Sequence, residues 1–190
     1  MRITLYMQQQ QTRALGPGIR YGIWVQGCNK RCPGCIAPDA QPLDGGYAED
    51  VERLVQDILS QPDIEGITIS GGEPFLQQEA LCELIDTLHG KRGLGVIVYT
   101  GMLYEEIAET PLAKRCDLIV DGEYIEALND DLSLRGSSNQ HIICISGRYA
   151  NIVKQHYGLP GRKTEFVIRN DRTSMIGIPS KKTAQMIKDA

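Results

Sequence analysis

No apolar stretch in these 190 residues approaches the roughly 18 that a membrane-spanning helix needs. No run of Lys or Arg stands out either. Twenty basic residues against 24 acidic ones leave a formal net charge of -4 and a pI of about 5.4. A nucleic-acid footprint is therefore not expected. The opening MRITLYMQQQ lacks the charged-then-apolar order of a signal peptide. Internal repeats and low-complexity segments are missing as well. Together these absences predict a cytoplasmic protein with neither membrane nor nucleic acid as a partner, in a compartment where thiols stay reduced.

What is present looks globular. Hydrophobic residues make up 42% and charged ones 23%. The length suits one domain, residues 1–190, with a sizeable core. Six cysteines in a reducing compartment favour metal or redox chemistry over a disulfide framework.

The chain alternates strand and helix signals. YGIWVQ (Tyr21–Gln26), GITIS (Gly66–Ser70), GVIVY (Gly95–Tyr99), DLIV (Asp117–Val120) and HIICIS (His141–Ser146) read as strands. Val51, Leu54, Val55, Ile58 and Leu59 fall on one face of a helix that ends just before Pro62. Leu76, Ala80, Leu81, Leu84, Ile85 and Leu88 do the same on a second, and YEEIAE is a short third. This rhythm predicts an α/β fold of parallel strands joined by right-handed crossovers. The strands are apolar runs, as in a sheet covered on both faces. Roughly four or five such units are too few to close an eight-stranded barrel, so an open or partial βα barrel is expected. Its ligands would sit at the carboxyl ends of the strands. The cysteine loop, GGEP, YTG and DGEY each follow a strand and should share that rim. The tail breaks the rhythm. TEFVIRNDRTSMIGIP reads as an antiparallel hairpin around an Asn-Asp turn, and Ser180 caps a short terminal helix.

The rim's first loop, GCNKRCPGC, holds Cys28-x3-Cys32-x2-Cys35. A structural zinc site usually wants four protein ligands, often as two pairs. Cys82, Cys116 and Cys144 have no neighbour at ligand spacing, and His89 and His141 are single candidates. Cys82 and Cys144 read as ordinary buried cysteines. A disulfide would leave one loop cysteine over. An iron–sulfur cluster is normally held by four thiolates, and three would leave one iron open to a ligand with its own donor atoms. Gly27 and Gly34 permit unusual dihedrals that turn amides toward sulfur, and Pro33 stiffens the turn.

Cys-x3-Cys-x2-Cys followed downstream by Gly71-Gly72-Glu73-Pro74 resembles the radical S-adenosylmethionine (SAM) superfamily. The resemblance implies one [4Fe–4S] cluster on Cys28, Cys32 and Cys35, with SAM chelating the open iron. It implies reductive cleavage to a 5'-deoxyadenosyl radical that abstracts a hydrogen atom from a substrate. It implies SAM contacts near Gly34 and Ile36, acceptors for the SAM ammonium at Gly71, Gly72 and Glu73, and an exit direction set by Pro74. Asp121 after its strand would lie near SAM, and Ser137, Ser138 and Asn139 of LRGSSNQ would bond its ribose or carboxylate. Arg135 could pair with a carboxylate. LRGSSNQ and GPGIR (Gly16–Arg20) resemble the glycyl-radical-enzyme activases, above all those of anaerobic ribonucleotide reductase. That likeness implies a glycyl radical enzyme as partner and a flavodoxin- or ferredoxin-like reductant.

The chain departs from the pattern in three places. Ile36 stands where an aromatic residue usually packs near adenine, and Glu123 where some relatives carry lysine. Beyond a core at about residues 16–146, the segment 147–190 is an extension: a cap over the site, a docking hairpin, or a structural addition. The leading expectation is a glycyl-radical activase. The alternatives are a stand-alone radical SAM enzyme acting on a metabolite or peptide, and, further out, a zinc or electron-transfer module.

Overall fold

A computed structural model describes residues 1–169 and 172–188. Among these the strands form a seven-stranded mixed sheet and a separate two-stranded hairpin. The chain opens on β1 (Arg2–Thr12), which pairs antiparallel with β2 (Arg20–Val25) on one side and with β3 (Tyr47–Asp50) on the other. Three parallel strands extend the sheet from β2: β4 (Gly66–Gly71), β5 (Gly95–Tyr99) and β6 (Leu118–Val120). β7 (Ile142–Cys144) closes the far edge. The strand order is β3-β1-β2-β4-β5-β6-β7. No helix of the described residues is long and apolar enough to cross a membrane.

Helices α1 (Val51–Leu59) and α2 (Gln78–Lys91) make the crossovers from β2 to β4 and from β4 to β5, and the one-turn α3 (Tyr104–Ile107) lies between β5 and β6. Asp50 ends β3 and caps α1, its carboxylate accepting from the Glu52 and Arg53 amides. Val51, Leu54, Val55 and Ile58 of α1 and Ala80, Leu81, Leu84, Ile85 and Leu88 of α2 are buried against Ile23, Ile67, Ile69, Val96 and Val98 of the sheet. Each Val, Leu and Ile among them contributes roughly 1.5–3 kcal/mol by leaving water. Leu76 does not join them. It lies in a 3-10 turn over Pro74–Gln77, where the tighter winding rotates it into solvent.

The opposite face is covered by the extension. α4 (Ala150–His156) follows Tyr149, which packs with Leu134 on Ile97, Leu118 and Val120. The hairpin of β8 (Thr164–Arg169) and β9 (Arg172–Gly177) lays Ile176 on Trp24 and Leu15. The anticipated Asn170-Asp171 turn lies outside the described residues. Ser180 caps α5 (Lys181–Lys188), accepting from the Thr183 amide at 3.1 Å.

At the centre of this face lies Arg20, fully buried. It donates to Thr68 Oγ1 (3.1 Å), Tyr149 Oη (2.6 Å), the Gly95 carbonyl (2.9 Å) and the Ile67 carbonyl. Its guanidinium carbon also stands 5.4 Å from the Tyr149 ring centroid. The arginine of GPGIR is thus a brace between two parallel strands and the extension.

Two expectations need correction here. β7 runs antiparallel to β6, because residues 121–141 return over the rim without a crossover helix. Cys82 and Cys144 are half-buried, and only Cys116 of the isolated cysteines is buried. β1, β3 and α4 had no expectation attached to them.

Candidate functional site

Parallel order puts the carboxyl ends of β2, β4, β5 and β6 at one edge of the sheet. The four loops that follow meet there. The cysteine loop leaves β2 through Gly27, whose φ of +95° suits glycine alone. Gly34 repeats the device at +73°, and a Cβ there would press on the Glu126 carboxylate and the Tyr124 ring. The loop is tied down by the Gly27 amide to the Ala40 carbonyl (2.8 Å) and the Cys28 amide to the Gln41 carbonyl (2.9 Å). The Lys30 amide points at Cys28 Sγ, 3.4 Å away. An amide aimed at sulfur is the arrangement that stabilises a ligating thiolate.

GGEP is docked onto this loop by its backbone. The Gly72 amide donates to the Val25 carbonyl (2.8 Å) and the Glu73 amide to the Gly27 carbonyl (2.7 Å). A Cβ on Gly72 would overlap the Gly27 carbonyl, and one on Gly71 would stand 2.6 Å from the Val25 nitrogen and oxygen. Both glycines are demanded by this close approach. Pro74 is buried and opens the 3-10 turn.

Glu73 is 1% exposed and turned inward. Its carboxylate accepts from Thr100 Oγ1 (2.7 Å), the Gly101 amide (2.9 Å) and the Phe75 amide (3.1 Å). Burial pushes its pKa up, while those three bonds and nearby Lys30 pull it down. The carboxylate ties the β4 loop to the β5 loop, so its lone pairs are largely spent on the chain itself. The free acceptors of this stretch are backbone carbonyls.

Asp121 follows the same logic. It is 1% exposed, and its oxygens take the Tyr104 amide (2.9 Å), the His141 amide (2.9 Å) and His141 Nδ1 (3.0 Å). Glu123, two residues on, reaches the cysteine loop: Lys30 Nζ lies 3.2 Å from its carboxylate, and Cys32 Sγ 4.0 Å. Lys30 therefore supplies a cation at the spot where Glu123 replaces one.

LRGSSNQ folds against the same loop. Ser137 is buried and its hydroxyl accepts from the Ile125 amide (3.2 Å). Arg135 pairs with Asp130 at 2.6 Å. Ser138 is exposed. Asn139 donates Nδ2 to the Glu123 carbonyl (2.8 Å), and its Oδ1 is buried with no partner among the described residues. A buried, unused acceptor on this rim is an open place for a ligand's donor. Ile36 is 52% exposed.

The donor set suits a cluster. Burial pushes the Cys32 thiol up and the Tyr124 amide opposes it, while Glu123, Cys35 and Cys28 add negative charge that pushes further. Among the described residues no three Cys, His, Asp or Glu side chains converge on one point. Four thiolates on a single zinc would stand about 3.8 Å apart, from a Zn–S length of about 2.3 Å. A cubane instead takes each thiolate on a different iron.

Which signals did sequence reading miss? Thr100, Gly101 and Lys30 all serve the site. YTG follows a strand, but a threonine or glycine in that place carries no distinctive pattern.

Comparison with known proteins agrees with this geometry. Residues 14–143 match the family described as a 4Fe-4S single cluster domain. The anaerobic ribonucleoside-triphosphate reductase-activating protein of Salmonella typhi is 32% identical over 135 residues, covering 66% of this chain and 88% of that one. The pyruvate formate-lyase-activating enzyme of Staphylococcus epidermidis is 32% identical over 166 residues, covering 77% of this chain and 64% of that one. The crystal structure of QueE from Escherichia coli overlaps 53% of each chain at 20% identity with a TM-score of 0.42, too slight a likeness to argue from. The family match stops short of α4, so the extension lies outside it. With its three-cysteine loop docked on GGEP at the carboxyl ends of the parallel strands, the chain belongs to the 4Fe-4S single cluster domain family and is a radical SAM protein, whose cofactors are one [4Fe–4S] cluster and S-adenosylmethionine.

Proposed function

We propose that this chain is a glycyl-radical activase of the anaerobic ribonucleotide reductase type. The observation that carries the reading is the rim itself: cysteine loop, GGEP, the β6 loop and LRGSSNQ held against one another by backbone bonds. Its support from kinship is the reductase-activating protein that aligns over 88% of its own length. On this reading the seven-stranded sheet is an open βα barrel, residues 1–190 act as one domain, and the protein works in the cytoplasm with a flavodoxin- or ferredoxin-like reductant.

Cys28, Cys32 and Cys35 would hold the cluster, one thiolate per iron, with the fourth iron left for SAM. When bound, this pair supplies reductive cleavage of SAM and hence a 5'-deoxyadenosyl radical able to take a hydrogen atom from a glycine Cα. The Gly71 and Gly72 carbonyls would accept from the SAM ammonium, and Asn139 Oδ1 from a ribose hydroxyl. Gly34 keeps the loop turned toward the site, and Ile36 offers an aliphatic surface to adenine. Glu73, Pro74, Asp121 and Ser137 are positioning residues: their polar atoms and ring hold the four loops in register. The Glu73 and Asp121 carboxylates do this from the protein interior, where no water competes for them.

The test is direct. The reconstituted chain, SAM, a reductant and anaerobic ribonucleoside-triphosphate reductase, mixed without oxygen, should yield an EPR doublet on the reductase. Deuterium at the reductase's glycine Cα should collapse it to a single line. Deoxyadenosine formation stimulated by a metabolite or peptide, with no radical on the reductase, would overturn the assignment.

A further inference from the structure

A cavity of about 430 Å³ lies on the sheet face that the extension covers, away from the cysteine loop. The Gly16-Pro17-Gly18 turn and Leu134 form one side, and Ile152, His156, Tyr157 and the 161–163 segment form the other. None of the three loop cysteines, nor any residue of GGEP, lines it. The volume falls within the range of about 300–1,000 Å³ common for small-molecule sites.

Its charge is lopsided. Arg13, Arg162 and Lys163 line it together with His156, and among the described residues no Asp or Glu does. The chain as a whole carries more acid than base, so this concentration of one sign runs against its composition. The cations have different roles. Arg162 has a side chain only 2% exposed, and it donates to the Leu132, Arg135, Gly136 and Pro179 carbonyls. Asp131 and Asp130 stand 3.4 and 3.9 Å from it and offset part of its field. It builds the wall. The side chains of Arg13, Lys163 and His156, in contrast, have no hydrogen-bond or ion-pair partner among the described residues. Two acids stand close by: Glu165 is engaged by the Thr12 hydroxyl (2.6 Å) and the Arg13 amide (2.8 Å), and Glu65, packed on Gly18, accepts from the Ile19 amide (3.2 Å).

At the back of the cavity stand two phenols, Tyr99 and Tyr157. Burial pushes both pKa values up, so both stay neutral donors. Neither hydroxyl has a partner among the described residues. Leu134, Ile152 and Ile178 supply apolar wall between the donors. We infer that this cavity is a binding site for a small organic anion, its carboxylate or phosphate held by Arg13 and Lys163 at the mouth with Tyr99 and Tyr157 donating from behind. Charge-assisted bonds of this kind are the strong ones, and a preformed wall lowers the ordering cost. His156, Arg162 and Lys163 all lie beyond residue 143, where the family match ends. The site is thus shared between the core, which gives Arg13 and Tyr99, and the extension, and it does not depend on the activase reading.

Calorimetry on the cluster-loaded full chain tests it, with glutarate, its uncharged analogue glutaramide, and inorganic phosphate as ligands at fixed ionic strength. Glutarate or phosphate should bind one to one, at least about tenfold more tightly than glutaramide, and the tighter of the two anions identifies the headgroup. Arg13→Gln and Lys163→Gln should each weaken that binding by about tenfold, the loss of one charge-assisted bond. Both side chains are exposed, so folding should persist, and basal SAM cleavage should not change. Equal binding of glutaramide, no saturable anion binding, or unchanged affinity in both variants would overturn the proposal. So would displacement of the anion by saturating SAM, which would return the cavity to the cofactor site. Since heat of binding is the readout, the result stands whether or not a glycyl radical is ever formed.

Discussion

Gly72 lies so close to Gly27 that a Cβ on the former would overlap the carbonyl oxygen of the latter, the same oxygen that accepts the Glu73 amide at 2.7 Å. The two signature stretches are therefore parts of one backbone joint. The cysteine loop cannot take up its conformation unless GGEP is pressed against it.

Gly72→Ala should accordingly damage both. Overpacking of this kind costs roughly 1–3 kcal/mol. Thermal unfolding should show that loss, and anaerobic reconstitution should give clearly less iron per chain than wild type. Gly90→Ala is the control, since nothing stands within 4 Å of a Cβ there. It lies in α2 and should stabilise by about 1 kcal/mol.

Replacing Cys28, Cys32 or Cys35 by Ala should abolish the thiolate-to-iron absorbance and drop iron well below the four per chain expected of a cubane cluster. Cys82→Ala, Cys116→Ala and Cys144→Ala should keep it, because these residues stand apart from the rim. Iron and sulfide assays with the visible spectrum decide between the two sets.

Glu73 makes a pH-dependent contribution. Its pKa is raised in the folded state above the ordinary glutamate value of about 4.3. The stability linked to its proton is thus full below that value and falls as pH rises through the raised folded pKa. Glu73→Gln should lack this step. The difference in Tm between the two proteins, followed from acid to neutral pH, should change over that window and be flat beyond it. The variant should also weaken SAM binding, because the β4 and β5 loops lose their tie. Unchanged affinity would show that the joint holds without it.

Tyr149→Phe removes the acceptor 2.6 Å from the buried Arg20. A hydrogen bond to a charged group is worth roughly 1.5–3 kcal/mol, and denaturant unfolding should register that loss. Truncation after Gly147 goes further. It strips Tyr149 and Ile176 from the sheet and bares Trp24, Ile97 and Val120, so the shortened chain should unfold or aggregate. Retention of a native unfolding transition would show that the core folds without its extension.

What the residues alone determined is local and periodic. Val51, Leu54, Val55 and Ile58 repeat at helical spacing, so α1 was legible before any packing was known. The apolar runs GITIS and GVIVY announced strands covered on both sides. Cys28-x3-Cys32-x2-Cys35 and GGEP announced the cofactors through their resemblance to the radical SAM superfamily. Strand order put their loops on one rim, as the crossover rule demands. Tertiary structure decided the rest. The direction of β7 depends on how residues 121–141 return, and the position of β1 depends on its pairing with both β2 and β3. Only the fold shows where the Glu73 and Asp121 oxygens go within the chain: to the Thr100 hydroxyl and the Phe75 and Gly101 amides for Glu73, and to the Tyr104 amide and His141 for Asp121. Arg20 belongs to GPGIR, a stretch that only resembles the activases in sequence, and the fold makes it the buried hub of the opposite face. A sequence displays charge and period, but it does not display which hydrogen-bond donors a fold will bring within 3 Å of a carboxylate. That pairing is settled only when distant strands meet and water is excluded between them.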